Sequence, residues 1–218
     1  AYTDRKRYLW ISALFFPLVA LSGIGLYWLN GSEWSFVVPL VLFYGGTALF
    51  DWLLGEDTSN PPEELVPQLE ADAYYRWLPI LTVPMHFAVL IAVAWFAGTH
   101  DVSWLALLAL ALTAGLYSGI GVNTAHELGH KKTDLERWMA RIVSAVPAYG
   151  HFCVEHNRGH HRHVATPADP ASSRMGENIY KFACREIPGA FRRGWIAEKE
   201  RLARLGKLGD ERSVAHVQ

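Results

Sequence analysis

Four long segments without a charged side chain fill most of the first 122 residues of the chain. They cover residues 8–29, 34–50, 77–98 and 102–122. A helix that crosses a bilayer takes about 20 mostly apolar residues, and within lipid only helices and closed barrels pair all of their backbone N–H and C=O groups. Only 19% of all residues are charged, against about 25% in a typical soluble domain. The sequence therefore predicts an all-α integral membrane protein with a bundle of at least four transmembrane helices, rather than a soluble protein with four apolar core helices.

The basic residues predict how these helices are oriented. Of the 20 Lys and Arg residues, 16 follow residue 130 and three occupy positions 5–7, whereas the connections 30–33 and 99–103 contain none. Cytosolic loops of membrane proteins collect Lys and Arg. Both the N-terminus and the chain after residue 123 are therefore expected in the cytosol, which agrees with four crossings.

Two parts of the chain follow from this topology. Residues 1–122 are expected to form the transmembrane bundle, with a cytosolic loop at 51–76. Residues 123–218 are expected to form a cytosolic helical cap, rich in histidine, with a basic helical tail.

Seven of the ten histidines fall between residues 126 and 163. His126 and His130 continue the fourth apolar segment, and residues four apart on a helix share a face, so both imidazoles can reach one metal ion. His156 and His160 have the same spacing, and His161 should point about 100° away, towards a second metal ion or the far side of the first. Neutral imidazole suits iron, zinc, copper and nickel alike. The clusters therefore predict a metal site without naming the metal.

Three carboxylates near these clusters are candidates for orienting the ligands. A carboxylate commonly accepts the free N–H of a metal-bound imidazole and so fixes its tautomer. Glu127 and Glu155 are equally well explained as solvated acids, and Asp169 is the weaker candidate because Pro167 and Pro170 on either side of it indicate a turn.

The motif at 126–130 leaves several classes of function open. It has the form HExxH, which in zinc metalloproteases supplies two ligands and a general base, here Glu127. An intramembrane zinc protease has no need of the second block of histidines, which favours a histidine-rich di-iron site that activates O2. A third possibility is a membrane protein that binds metal without turnover.

Stretches around these histidines resemble a known family. Residues 123–131 and 155–161 are similar to the first and second histidine boxes of the membrane-bound alkane 1-monooxygenases, which belong to the histidine-box non-haem di-iron proteins. Residues 164–174, 51–57 and 60–62 are also similar to that family, and the extended match after the second box distinguishes it from the desaturases. The resemblance runs to about residue 205. Only His216 follows His163, so the family's third histidine box and its two last membrane helices are missing from this chain.

The resemblance implies O2-dependent terminal hydroxylation of medium-chain n-alkanes to 1-alkanols at a site with two iron ions. It implies that the substrate enters from the bilayer, here a bacterial inner membrane. Electrons would come from rubredoxin, which an NADH-dependent rubredoxin reductase reduces. An aromatic-methyl hydroxylase and a fatty-acid desaturase remain alternatives, and no nucleic-acid partner is expected. The implied iron ligands are His126, His130, His156, His160 and His161.

Overall fold

The computed structural model describes residues 4, 6–57 and 61–206. Within this part of the chain every regular element is a helix and no strand occurs, which confirms the all-α prediction. Residue 5, Asn60 and the residues from 207 onwards, including His216, lie outside the described residues, as do the predictions that involve them.

Four helical spans are long and apolar enough to cross a membrane. They are α1 (Leu9–Asn30), α2 (Glu33–Leu54), α3 (Ala73–Thr99) and α4 (Trp104–Gly129). Each coincides with one predicted segment, which confirms the transmembrane bundle. Helix α4 continues beyond residue 122 and carries His126 on its last turn.

The first two spans change helix type along their length. Helix α1 alternates between 3-10 turns, at Leu9–Ile11 and Phe16–Leu21, and α-helical turns, at Ser12–Phe15 and Ser22–Asn30. Helix α2 begins with a 3-10 turn at Glu33–Val37. It continues with α-helical turns at Val38–Val41 and Thr47–Leu54, which a π-helical turn at Leu42–Gly46 separates. The helix type changes near Pro17 and Pro39. Proline has no N–H to donate and its ring crowds the preceding turn, which explains these changes. The helix continues past both prolines, as transmembrane helices tolerate.

Polar contacts tie together the connections at each end of these spans. Near the N-terminus, Arg7 donates to both carboxylate oxygens of Asp72, at 2.7 and 3.4 Å, and Asp72 caps α3 by accepting from the backbone N–H of Tyr74 at 2.8 Å. At the other end, Glu33 accepts from the backbone N–H of Ser103 at 2.9 Å. The connections 30–33 and 99–103 therefore meet, as the predicted topology requires. Between α2 and α3 lie two short helices, Glu63–Leu65 and Val66–Ala71.

An aromatic cluster forms the core of the first compact unit, which ends at Thr124. Phe36 and Phe96 are fully buried, with ring centroids 5.4 Å apart, and Tyr27 stacks on Phe36 at 5.0 Å. Helices α1 and α2 approach closely at Gly23, where a Cβ atom would lie 3.0 Å from the carbonyl oxygen of Ser35. Many large apolar side chains on the outside of this unit are exposed, among them Trp28, Leu29 and Trp34. A lipid-facing surface accounts for such exposure, because a soluble monomer rarely shows contiguous apolar patches of this kind.

The second compact unit begins at Ala125, within the last turns of α4. Its other helices are α5 (Asp134–Ser144), α6 (residues 152–163) and α7 (Ile179–Arg204). Helix α6 consists of an α-helical turn at Phe152–Glu155, a π-helical turn at His156–His160 and a last turn at His161–His163. Helix α7 packs along α6 through Gly194, where a Cβ atom would lie 3.3 Å from the Cβ of His151.

Candidate metal centre

Four histidine side chains converge in the second unit. His126 lies in the last turn of α4 and His130 directly follows that helix, whereas His156 and His161 come from α6. One ring nitrogen from each of the four lies within 4.8 Å of the others. The Nε2 atoms of His126 and His130 are 3.1 Å apart, as are those of His156 and His161. The two sequence clusters therefore form a single group of imidazoles.

This group fits a metal ion. Two nitrogens that bind one ion at about 2.1 Å lie no more than about 4.2 Å apart, and both Nε2 pairs satisfy this limit at 3.1 Å. Imidazole nitrogens are good ligands for iron, zinc and copper. The four imidazoles therefore form a group that can hold a metal ion through ring nitrogens.

The π-helical turn decides which histidines of α6 face each other. An α-helix would place His156 beside His160, as the spacing predicts, and would turn His161 away. In the π-helical turn His156–His160 the backbone bonds span five residues instead of four. His161, five residues after His156, therefore brings its Nε2 atom to 3.1 Å from that of His156, while His160 stays on the same side with its ring stacked on that of His156.

His160 has a different partner. Its Nδ1 atom lies 2.8 Å from Oδ2 of Asp169, and its ring stacks on that of His156 with centroids 5.4 Å apart. It does not belong to the converging group of four. Because the carboxylate engages Nδ1, the nitrogen left for a metal ion is Nε2. Metal ligation by His160 stays a prediction.

The three candidate carboxylates have very different surroundings. The side chain of Glu127 is 67% exposed and its carboxylate lies 3.6 Å from Nδ1 of His126, beyond hydrogen-bond distance. Glu155 is buried and accepts from Arg193 at 2.6 Å. Asp169 is buried and accepts from a box histidine. The candidate that the sequence favoured least thus makes the closest contact with a predicted ligand.

The surroundings of the group lower the pKa values of two of its imidazoles. Burial, followed by the neighbouring imidazoles of His126 and His161, lowers the pKa of His156 to about 4, and burial lowers the pKa of His130 as well. Both rings are therefore neutral near pH 7, the form that binds metal. Burial raises the pKa of Asp169, but hydrogen bonds from Ser172, Arg193 and His160 lower it by more, so its net pKa lies well below the usual range.

Two residues that support the site carry no recognisable pattern in the sequence. Arg193 lies among many basic residues of the tail, 24 residues from Asp169 and 38 from Glu155, yet it contacts both carboxylates. Ser172 donates to Asp169 at 2.5 Å. His151, outside the predicted ligand set, is buried between Tyr149 and Phe191.

Comparison with known proteins identifies the family. The family model described as "Fatty acid desaturase" matches residues 102–216. The chain is 56% identical to an alkane 1-monooxygenase of Pseudomonas putida over 94% of its own length, and 54% identical to alkane 1-monooxygenase 1 of Alcanivorax borkumensis. This chain belongs to the fatty acid desaturase family. An alkane 1-monooxygenase of Acinetobacter baylyi is more distant, at 35% identity.

The chain spans about half the length of the curated alkane 1-monooxygenases it matches, 51% in each of these three cases. That proportion agrees with the expectation that a C-terminal part of the family's length is missing from this chain. All three of these relatives are named as monooxygenases and none as a protease.

Proposed function

We propose that this chain contributes the membrane-embedded, histidine-ligated half of an alkane 1-monooxygenase that hydroxylates the terminal carbon of medium-chain n-alkanes. The convergence of four imidazoles from two sequence clusters, in a chain 56% identical to an alkane 1-monooxygenase, carries the proposal. The overall reaction balances as R–CH3 + O2 + 2 electrons + 2 protons giving R–CH2OH + H2O. Two bound iron ions would supply the activation of O2.

The residues of the chain have defined tasks in this proposal. His126, His130, His156 and His161 would hold metal through ring nitrogens, and His160 would add its Nε2 atom. Asp169 holds the hydrogen of His160 on Nδ1, at 2.8 Å, and so leaves Nε2 free of hydrogen. Five imidazoles are few for two iron ions, and further ligands are expected from the part of the family's length that this chain does not span.

Topology supports the division between substrate and electron donor. The imidazoles of His126 and His130 lie where a membrane-spanning helix ends, so an alkane dissolved in the bilayer has a short route to the site. Most Lys and Arg residues follow residue 130. The positive-inside rule alone accounts for much of this excess, and it supports our proposal that the site lies on the cytosolic face of a bacterial inner membrane. The same basic face suits an acidic soluble donor, which we propose to be rubredoxin reduced by its NADH-dependent reductase.

The test uses a fusion in which this chain continues into the second half of the Pseudomonas putida relative. Cells that also express rubredoxin and its reductase are given n-octane under ¹⁸O2, and labelled 1-octanol is measured by gas chromatography and mass spectrometry. We expect labelled product from the parent fusion and a loss of at least about 100-fold in His126→Ala and His161→Ala, because each removes one imidazole of the converging group. His163→Ala is the matched control, since it lies outside that group in the last turn of the same helix.

Two outcomes contradict the proposal. One is 1-octanol without label. The other combines two results: one zinc per chain, and a His161→Ala variant that is as active as the parent in a proteolysis assay. That combination would support an HExxH zinc protease with Glu127 as general base.

A further inference from the structure

A buried ionic cluster lies beside the second histidine box, formed by Glu155, Asp169 and Arg193. Arg193 donates through Nη2 to Oδ1 of Asp169 at 2.7 Å and through Nε and Nη2 to Oε1 of Glu155. Its Nη1 atom donates to the carbonyl oxygen of Ala168 at 3.3 Å. The side chains of Asp169 and Glu155 are 0% and 4% exposed. One guanidinium therefore compensates two carboxylates that are almost completely removed from water.

The two oxygens of Asp169 have separate tasks. Oδ1 accepts from Arg193 at 2.7 Å and from the backbone N–H of Ala171 at 3.1 Å. Oδ2 accepts from Ser172 at 2.5 Å and lies 2.8 Å from Nδ1 of His160. Because donors occupy both oxygens, the carboxylate has one orientation, and that orientation fixes the ring of His160.

The backbone around Arg193 is fitted to this side chain. A Cβ atom at Gly159 would lie 2.6 Å from Nε of Arg193 and 2.8 Å from Oε1 of Glu155, closer than real contacts allow. Gly159 belongs to the π-helical turn His156–His160. Gly194, next to Arg193, lets α7 approach α6, since its Cβ atom would lie 3.5 Å from the Cβ of Glu155. The guanidinium thus rests against the turn that presents the box histidines.

We propose that Arg193 is a positioning residue of the metal site, acting through Asp169 on His160. The inference rests on the proposed function, because it takes metal as the group that His160 serves. Arg193 locks the carboxylate of Asp169, Asp169 holds the hydrogen of His160 on Nδ1, and Nε2 is presented to the ion. Without the guanidinium, two buried carboxylates face each other uncompensated and Asp169 leaves its position.

Metal binding to the purified full chain tests this role. Fe(II) affinity is measured in detergent by chelator competition, and Co(II) is loaded in parallel because its visible spectrum reports the ligands. In Arg193→Met we expect metal affinity to fall about 10- to 100-fold, the usual effect of losing a group that orients a ligand, with a changed Co(II) spectrum. Arg193→Lys keeps the charge but cannot bridge both carboxylates as a planar fork does, so it should restore part of the affinity. Arg192→Met is the matched control, since Arg192 is exposed on the same helix.

Repeating the Arg193 substitution in a His160→Ala variant distinguishes a positioning role of Arg193 from a role in stabilising the fold. In His160→Ala, the substitution Arg193→Met should cost little further affinity, because the group through which it acts is gone. A merely structural arginine would cost the same factor in both backgrounds, and that result overturns the inference, as does an Arg193→Met variant with unchanged affinity and spectrum. If the parent chain binds neither Fe(II) nor Co(II), the proposed function fails instead, and the parent measurement alone shows it.

Discussion

A methyl group at Gly159 would clash with neighbouring atoms, and the loss of unfolding free energy in Gly159→Ala can be estimated from those contacts. The added Cβ would lie 2.6 Å from Nε of Arg193, 2.8 Å from Oε1 of Glu155 and 3.1 Å from Cζ of Arg193. Overpacking of this kind costs about 1–3 kcal/mol, and removing glycine from a helix returns up to about 1 kcal/mol. If the guanidinium is pushed off its carboxylates, an uncompensated buried charge adds about 3–5 kcal/mol. The first two terms alone leave a net loss of about 0–2 kcal/mol. Because the contacts below 3.0 Å fall on the ionic pair itself, we expect the guanidinium to be displaced and the free energy of unfolding of the second unit to fall by about 2 kcal/mol or more.

A thiol-reactive fluorophore measures this loss in detergent. Cys184 is exposed and Cys153 is partly buried, so in a Cys184→Ser background the label follows the unfolding of the second unit through Cys153. A loss of 2 kcal/mol corresponds to a fall in Tm of roughly 4–8 °C for a chain of this size. Gly119→Ala is the matched control, because a Cβ atom at Gly119 meets nothing within 4 Å. A Tm for Gly159→Ala equal to that of the parent or of the control would refute the packing argument.

Two further expectations concern parts of the chain away from the histidines. Phe36→Ala removes a ring that is 0% exposed and should destabilise the protein by about 3 kcal/mol. We expect a lower Tm in detergent and an unchanged metal affinity. Trp34→Ala, at a side chain that is 80% exposed, should change neither the Tm nor the metal affinity. Hydrogen bonds from Arg185 lower the pKa of Glu177 to about 2, so the stability that this pair contributes is present above the unfolded pKa of about 4.3 and is lost as the pH falls towards 2. The fall in Tm between pH 5 and pH 3 should accordingly be smaller in Glu177→Gln than in the parent, and an equal fall in both would contradict this assignment.

The four spans and one pair of ligands were predictable from the sequence because their causes are local. A bilayer imposes length and low charge on each segment separately, and the segments 77–98 and 102–122 contain all the information needed to place α3 and α4. The pairing of His126 with His130 follows from helical rise alone, since no distant residue is needed to bring positions four apart onto one face. The resemblance in the histidine boxes then named the alkane 1-monooxygenases, to one of which the chain is 56% identical.

Only the tertiary structure decided how the second histidine box is presented and what holds it. The facing of His156 and His161 depends on a π-helical turn, in which Gly159 leaves space for a guanidinium from a helix that begins 20 residues later. The role of Asp169 depends on its burial and on donors from Ser172 and Arg193, neither of which periodicity reveals. The sequence by itself determined the membrane spans and the candidate imidazole ligands, because these are properties of single segments. The orientation of the ligands was decided by contacts between residues far apart in sequence, where packing space and buried charge, rather than local pattern, select one arrangement.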